Sequence, residues 1–523
     1  MVVPELRAWR AARPHVVRVA SSVKPHVARI TQAVRPRSVK FTTPQLTAVA
    51  ATVGLALAAG LVTAAGPWDS TGQRTAERDW AASREGEGGT DHGLTSGTSA
   101  KAPRPAPSAA TVLAGLGGST GSTSVGAVPA PTEKALADVL DPLLNDPALG
   151  AQRTAVVVDV ATGKRLYGKG ADKAQTPAST TKIATAVAVL SAAGTDHRIT
   201  TRAVLEPDTK EVVLVGAGDP TLTAREDAKG YASLRTLAAE TATALKARHL
   251  DQVTLSYDTS LYAGATVHPI GANPNLAPVS ALMVDEGRVD DSDSGTAKRS
   301  TDPAGDAARK FAELLQAKGI KTTSPGLSKA TSRSQDLASV SSPPLSALVE
   351  RMLTNSDNDI AEALARQVAL VSGGQASFSG GAAAIGAQLK KLGLPLTGVR
   401  FADGSGLNRA DKLTADLLTA LLAKAGDPAH PELRPALTGL PIAGFTGTLS
   451  DRYTADASAT GVVRAKTGTL TGVNTLAGTV VDTDGRLLAF AFLTSDEAHP
   501  PAPTPAQTAL DRAATALAAC GCR

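Results

Sequence analysis

The sequence predicts an α+β fold, in which both ends of the ordered chain meet in an antiparallel sheet and helices are gathered from between them. Three observations carry this. A β-branched run, Thr154–Val160, stands near the start of the ordered part. Near the end, two apolar strands, Val473–Val481 and Arg486–Thr494, are joined by the turn Asp482-Thr-Asp-Gly485. Between them, helical spacing recurs at Leu345–Leu353, Ile360–Leu370, Ala382–Leu392 and Thr414–Ala425. A chain of 523 residues exceeds what one core usually holds, so more than one unit is expected.

From the N-terminus, residues 1–45 form a basic tail. Nine basic side chains and one acid fall within the first 40 residues, whereas the whole chain carries only +5, so the remainder is slightly acidic. The tail leads into the apolar run Leu46–Gly66, and no charge occurs between Lys40 and Asp69. At 1.5 Å per residue, 21 residues just span a hydrocarbon core of about 30 Å. Residues 46–66 are therefore expected to be a single-pass membrane anchor with the basic side in the cytoplasm. The competing reading is a cleaved signal peptide, whose apolar region is ordinarily shorter. Residues 67–131 are rich in Gly, Ser, Thr, Ala and Pro with few large apolar side chains, and are expected to be a disordered linker.

Order begins near Thr132, a helix cap ahead of Leu136, Val139, Leu140, Leu143 and Leu144. The strand Thr154–Val160 turns at Ala161–Lys164 and returns through Arg165–Tyr167, and a helix follows over Ser179–Ala193. Short strands (Ile199–Leu205, Val212–Val215, Val253–Tyr257) then mix with helices (Ala232–Arg248, Ala304–Lys318). This predicts an inserted smaller domain, 199–340, within a main domain formed by 132–198 and 341–523. A last helix is expected over Pro505–Ala519.

Several function classes find no support. The excess of basic charge is confined to the tail, so nucleic-acid binding is not indicated. The eight His residues show no i, i+4 pair and no Cys/His cluster, so no metal site or cofactor is expected. Gly216-Ala-Gly218 lacks a third glycine and meets Asp219-Pro220, so it is a turn rather than a dinucleotide loop. Cys520 and Cys522 are separated by one glycine, and a bridge between them is not expected because the ring would be strained.

Three short motifs carry chemistry. Ser179-Thr-Thr-Lys182 opens a helix, where a spacing of three puts hydroxyl and ammonium on one face. A serine is a poor nucleophile until a neighbouring base takes its proton, and a lysine of lowered pKa can serve. Alone this motif says little, because Ser21-Ser-Val-Lys24 repeats the spacing in the tail. Ser356-Asp357-Asn358 lies between two helices; Ser356 can relay a proton, and Asn358 can donate to a substrate amide and to the lysine. A capping turn is the plainer explanation of that tripeptide. Lys466-Thr467-Gly468-Thr469 leads into the terminal strands, where Lys466 and Thr467 suit a peptide's carboxylate. Gly468 permits close backbone approach, and the Thr469 N–H with that of Ser179 would form an oxyanion hole.

The order Ser-x-x-Lys, Ser-x-Asn, Lys-Thr-Gly resembles the penicillin-recognising serine enzymes. Ser179 and Ser356 are 177 positions apart, and Ser356 and Lys466 are 110 apart. The first gap is too long for a class A β-lactamase. It is similar to that of the class C penicillin-binding proteins, the D-Ala-D-Ala carboxypeptidase/endopeptidase family, which carry an insertion there. Gly216–Leu222, Asp403-Gly-Ser-Gly-Leu-Asn-Arg409 and Gly447-Thr-Leu-Ser-Asp-Arg452 extend the resemblance across roughly 133–519. It implies a penicillin-binding transpeptidase-like domain and catalytic roles for Ser179, Lys182, Ser356 and Asn358. It also implies substrate contacts at Lys466, Thr467, Gly468, Thr469, Ser405 and Arg409. The expected partners are peptidoglycan stem peptides ending in D-Ala-D-Ala, with β-lactams as covalent inhibitors, and the catalytic domain lies outside the membrane. The rivals are a β-lactamase, which needs a carboxylate to hold the deacylating water, and a non-catalytic β-lactam sensor or wall-attachment protein. Between Asn358 and Lys466 the only glutamates are Glu362 and Glu432.

Overall fold

The structure, a computed structural model, describes residues 130–453 and 458–522. The expectations for 1–45, for the apolar run 46–66 and for the linker as far as 129 lie outside the described residues. Among the described residues, no helix is long and apolar enough to cross a membrane.

The strands are β1 (Gln152–Asp159), β2 (Arg165–Lys169), β3 (Thr200–Glu206), β4 (Glu211–Val215), β5 (Gln252–Asp258), β6 (Lys321–Thr322), β7 (Gly326–Leu327), β8 (Gln335–Ser341), β9 (Arg464–Leu470), β10 (Val473–Val481) and β11 (Leu487–Ser495). The helices are α1 (Glu133–Leu144), α2 (Thr181–Ala193), α3 (Leu234–Ala247), α4 (Pro303–Ala317), α5 (Leu345–Asn355), α6 (Asn358–Val371), α7 (Phe378–Lys391), α8 (Ala415–Gly426), α9 (Pro435–Thr438) and α10 (Pro503–Ala518).

The main sheet is antiparallel in the order β2-β1-β11-β10-β9, so the first and last thirds of the described chain are knitted together. Alternation along each strand separates two cores. Val156 and Val158 with Ala489, Ala491 and Leu493 face one core, which α2, α5, α6 and α8 complete. Ala155 and Val157 with Leu488, Phe490 and Phe492 face the other, closed by α1 and α10. Both faces are covered, which is why the central strands are buried along nearly their whole length. In α1, the Thr132 side chain accepts from Ala135 N, and Leu136, Leu140 and Leu144 form one buried stripe.

Residues 200–341 build a second sheet, β6-β5-β4-β3-β8, with β7 alongside β5. It is mixed rather than antiparallel: β3 pairs antiparallel with β4 and β8, whereas β4, β5, β6 and β7 run parallel. The β4–α3–β5 crossover makes the parallel pairing possible. Helices α3 and α4 bury Leu237, Leu245, Phe311 and Leu315 against it. At the C-terminus Cys520 is buried and Cys522 half-buried against the core that α1 and α10 close, with their Cα atoms 5.0 Å apart.

Candidate active site

Ser179 lies in a 3-10 turn, Ala178–Thr180, that runs directly into α2. Ala178 is buried with φ at +49°, a left-handed conformation that a non-glycine residue holds only when its surroundings over-determine it. Those surroundings are close-fitting. The Pro177 carbonyl accepts from the hydroxyls of Thr180 (2.7 Å) and Thr475 (2.8 Å). A Cβ on Gly468 would lie 2.7 Å from that same carbonyl, so only glycine lets β9 approach the turn.

Lys182, one turn along, is completely buried. Its Nζ donates to Asn358 Oδ1 (2.7 Å) and the Ser405 carbonyl (2.7 Å), and lies 3.1 Å from Ser179 Oγ. Burial brings its pKa down from 10.5 to about 8, against the opposing pull of Asp403, Asp357, Glu362 and Asp411. Loss of hydration, rather than a cationic neighbour, is thus the main cause. A neutral amine has two N–H donors and one lone pair. The two short contacts take the donors, which leaves the lone pair facing the serine hydroxyl.

The Ser356-Asp357-Asn358 motif is the turn between α5 and α6. Ser356 ends α5 in a left-handed conformation (φ +58°), and the Asp357 side chain caps α6 by accepting from Ile360 N at 2.9 Å. The capping explanation therefore describes this turn, and the same turn sets Asn358 beside Lys182. Asn358 opens α6 with its Oδ1 toward Lys182, while its Nδ2 donates to the Asn275 carbonyl at 2.9 Å. Asn358 thus accepts from the lysine, the reverse of the direction expected.

Strand β9 is the edge of its sheet. Lys466 is fully buried behind it, its Nζ donating to the Thr467 carbonyl at 2.9 Å. Burial, then proximity to Lys182 and Arg452, pushes the Lys466 pKa well below the ordinary lysine value. Thr467 Oγ1 donates to Thr448 Oγ1 (2.8 Å), and Thr469 accepts from Gln507 of α10 (3.3 Å).

A cleft of about 390 Å³ brings together Ser179, Ser356, Asn358, Thr467 and Thr469. Asn275, Arg299, Leu407, Thr448, Arg452 and Gln507 also line it. Arg452 is steadied by Asp511 (Nε to Oδ2, 2.9 Å) and the Gln507 carbonyl (3.3 Å). A larger cavity of about 560 Å³ shares Asn355 and Arg288 with the cleft but contains none of the motif serines or lysines.

Three expected positions fall elsewhere. Ser405 is fully buried, and it reaches the site through its carbonyl on Lys182 rather than by touching substrate. Arg409 does not line the cleft; it donates to the Thr471 carbonyl (2.7 Å) and pairs with Glu497 (3.4 Å) at the β9–β10 turn. Lys466 stands behind the cleft wall, so Thr467 and Thr448 present the nearer hydroxyls. Sequence reasoning left Asn275, Arg299, Thr448 and Gln507 without a role. Arg452 closes a stretch, Gly447–Arg452, that was noticed without an assignment.

Glu362 is also committed. It is buried, accepts from Gly404 N (3.0 Å) and Ser405 N (2.9 Å), and pairs with Arg366 at 3.3 Å. Among the described residues, the only carboxylate lining the cleft is Asp357, which caps α6. Two triads, His268 with Glu362 and Asp403, and Glu286 with Asp357 and Asp359, bring donor atoms close enough to share a cation. Their oxygens already accept from backbone N–H groups or arginines, including Arg288 on Glu286 and Ala277 N on Asp359.

The chain is 37% identical over 410 residues to carboxypeptidase DacB of Mycolicibacterium smegmatis, covering 75% of this chain and 86% of that one. A carboxypeptidase of Mycobacterium tuberculosis is 35% identical over 438 residues, covering 81% and 91%. The fold matches penicillin-binding protein 4 of Haemophilus influenzae with a TM-score of 0.59 at 22% identity, over 72% of this chain and 97% of that one. The model of the D-Ala-D-Ala carboxypeptidase 3 (S13) family matches residues 136–294 and 290–517, and it is to this family that the chain belongs.

Proposed function

We propose that this serine-type D-Ala-D-Ala carboxypeptidase works through an acyl-enzyme on Ser179, formed with Lys182 as the base. The observation that carries the assignment is the arrangement about Lys182 Nζ: two acceptors at 2.7 Å, the serine hydroxyl at 3.1 Å, and a pKa brought to about 8. An extended peptide lies along the edge strand β9, its terminal carboxylate on Thr467 and Thr448 with the guanidinium of Arg452 in the same cleft. Ser179 Oγ attacks the penultimate D-Ala carbonyl as its proton passes to Lys182. The tetrahedral oxyanion is held by the amides of Ser179 and Thr469. Collapse breaks the C–N bond, and the leaving D-Ala amine takes the proton from Lys182 by way of Ser356. Water then hydrolyses the ester.

Penicillin enters the same chemistry, but its leaving group stays tethered and obstructs the water. The engagement of Glu362 with two backbone amides and Arg366 supports a long-lived adduct and argues against a β-lactamase. Mass spectrometry after mixing with penicillin tests this: a lasting adduct is expected on Ser179 and none on Ser179→Ala. Rapid, repeated penicillin hydrolysis, or an adduct on another serine, would refute it.

The sequence pattern supports a cellular setting as well. Residues 46–66 anchor the protein, 67–131 tether it, and the catalytic domain (132–198 and 341–523, with 199–340 inserted) works on peptidoglycan outside the membrane. Recovery of a mature protein starting near Gly66 would instead make the apolar run a cleaved signal.

A further inference from the structure

The segment that follows β5 reaches the active site, where its Asn275 lines the cleft. Its His268 is buried and packs edge-on against Phe378, the ring centres 4.9 Å apart. His268 Nδ1 accepts from Ile270 N at 3.2 Å, which leaves the ring proton on Nε2, 3.0 Å from Asp403 Oδ2. Asp403 is fully buried, and its carboxylate accepts the N–H groups of Ser405 (3.0 Å), Gly406 (2.6 Å) and Asn408 (2.7 Å). The loop is thereby wrapped around one side chain, and its Ser405 carbonyl is aimed at Lys182 Nζ. Glu362 clamps the same loop from α6, and Asp411 holds Ala402 N and Asp403 N.

We infer that His268 is a positioning residue for acylation: through Asp403 it fixes the Ser405 carbonyl that holds one N–H of Lys182, and so directs the amine toward Ser179. The inference rests on the Ser179–Lys182 assignment. A buried histidine is more often just a packed core residue, but here one nitrogen is fixed by a local amide and the other is spent on the carboxylate organising the loop under the base. His268 lies 135 residues from Asp403, in the stretch between β5 and α4 that separates the first motif from the second.

Two variants separate positioning from packing. His268→Gln retains an N–H donor for Asp403, whereas His268→Leu retains bulk without a donor. Losing a donor to a buried charge is expected to slow penicillin acylation of Ser179 by about tenfold or more in His268→Leu, with the peptide KM little changed. His268→Gln should recover most of the rate. Equal slowing in both variants, or normal acylation in His268→Leu, would overturn the proposal. A third measurement needs no variant. In 15N-histidine spectra of the wild-type chain, His268 should be the neutral Nε2–H tautomer, and its signal should move when penicillin acylates Ser179. An Nδ1–H tautomer or an unmoved signal would count equally against it. Lys182→Met serves as the control: if it acylates at the normal rate, the base assignment fails and the role of His268 fails with it.

Discussion

The rate at which penicillin acylates Ser179 should follow the fraction of Lys182 that is neutral. With a pKa of about 8, about one molecule in ten carries the free amine at pH 7 and about nine in ten at pH 9. An unshifted lysine would supply about one in 3,000 at pH 7, so the buried site raises the reactive population there about 300-fold. Lys182→Arg removes this advantage, because a guanidinium remains protonated throughout the working range. Stopped-flow acylation from pH 6 to 10 should therefore give a limb rising through about pH 8 to a plateau in the wild type. The Arg variant should be slower by at least about 1,000-fold at pH 8. A flat wild-type profile, a limb centred near pH 5, or an Arg variant within tenfold of wild type would refute lysine as the base.

Further expectations follow from other contacts. Arg452→Ala should lose about 1.5–3 kcal/mol, or roughly 10- to 150-fold in kcat/KM, on peptides ending in a free carboxylate, with much less loss on C-terminally amidated ones. Arg409→Ala, at the β9–β10 turn, should change both by less than about threefold on the scale of exposed ion pairs; a larger loss would return it to the substrate site. Gly468→Ala should cost about 1–3 kcal/mol in a urea titration and should slow acylation, because its methyl group meets the Pro177 carbonyl. Glu362→Gln should lower stability by about 3 kcal/mol by leaving buried Arg366 uncompensated, yet leave the lifetime of the penicillin adduct unchanged. For Lys182 the folded pKa lies below the unfolded one, so its contribution to stability is unfavourable below pH 8 and improves as pH rises from 8 toward 10.5. Urea midpoints of wild type and Lys182→Met should converge over that window.

Much of the framework was legible because the signals were local. The Thr132 cap and its leucine stripe, the Asp482–Gly485 turn, and the apolar runs of β1, β10 and β11 each state their structure within a dozen residues. Strand β8 was not, since Gln335–Ser341 is largely exposed and polar and exists because β3 pairs with it. Helix α7 starts at Phe378, four residues before its expected start, because Gly380 and Gly381 disguise its first turn. Gly381 packs against the Ala365 backbone, where a Cβ would come within 3.1 Å. In the site, the motifs named Ser179, Lys182 and Asn358, which the fold gathers, but a backbone carbonyl such as that of Ser405 has no sequence signature. Nor has His268, whose meaning depends on a carboxylate brought close only by the fold. Arg409 is the opposite case: the resemblance implied a substrate contact, and the fold directs its guanidinium to Thr471 and Glu497.

The order of the main sheet also sets when this enzyme can first act. β11 separates β1 from β10, and β9 reaches the sheet only through β10. A ribosome that has released Ser179, Lys182 and Asn358 has therefore produced no catalyst, because the β9–β10 hairpin bearing Thr467 and Thr469 has no link to β1 until residues 487–495 emerge. Loop closure between β1 and β11 spans more than 300 residues, a slow and entropically costly event. Chains arrested or clipped before β11 should be inert toward both peptide and penicillin, so activity is withheld until β11 has been made.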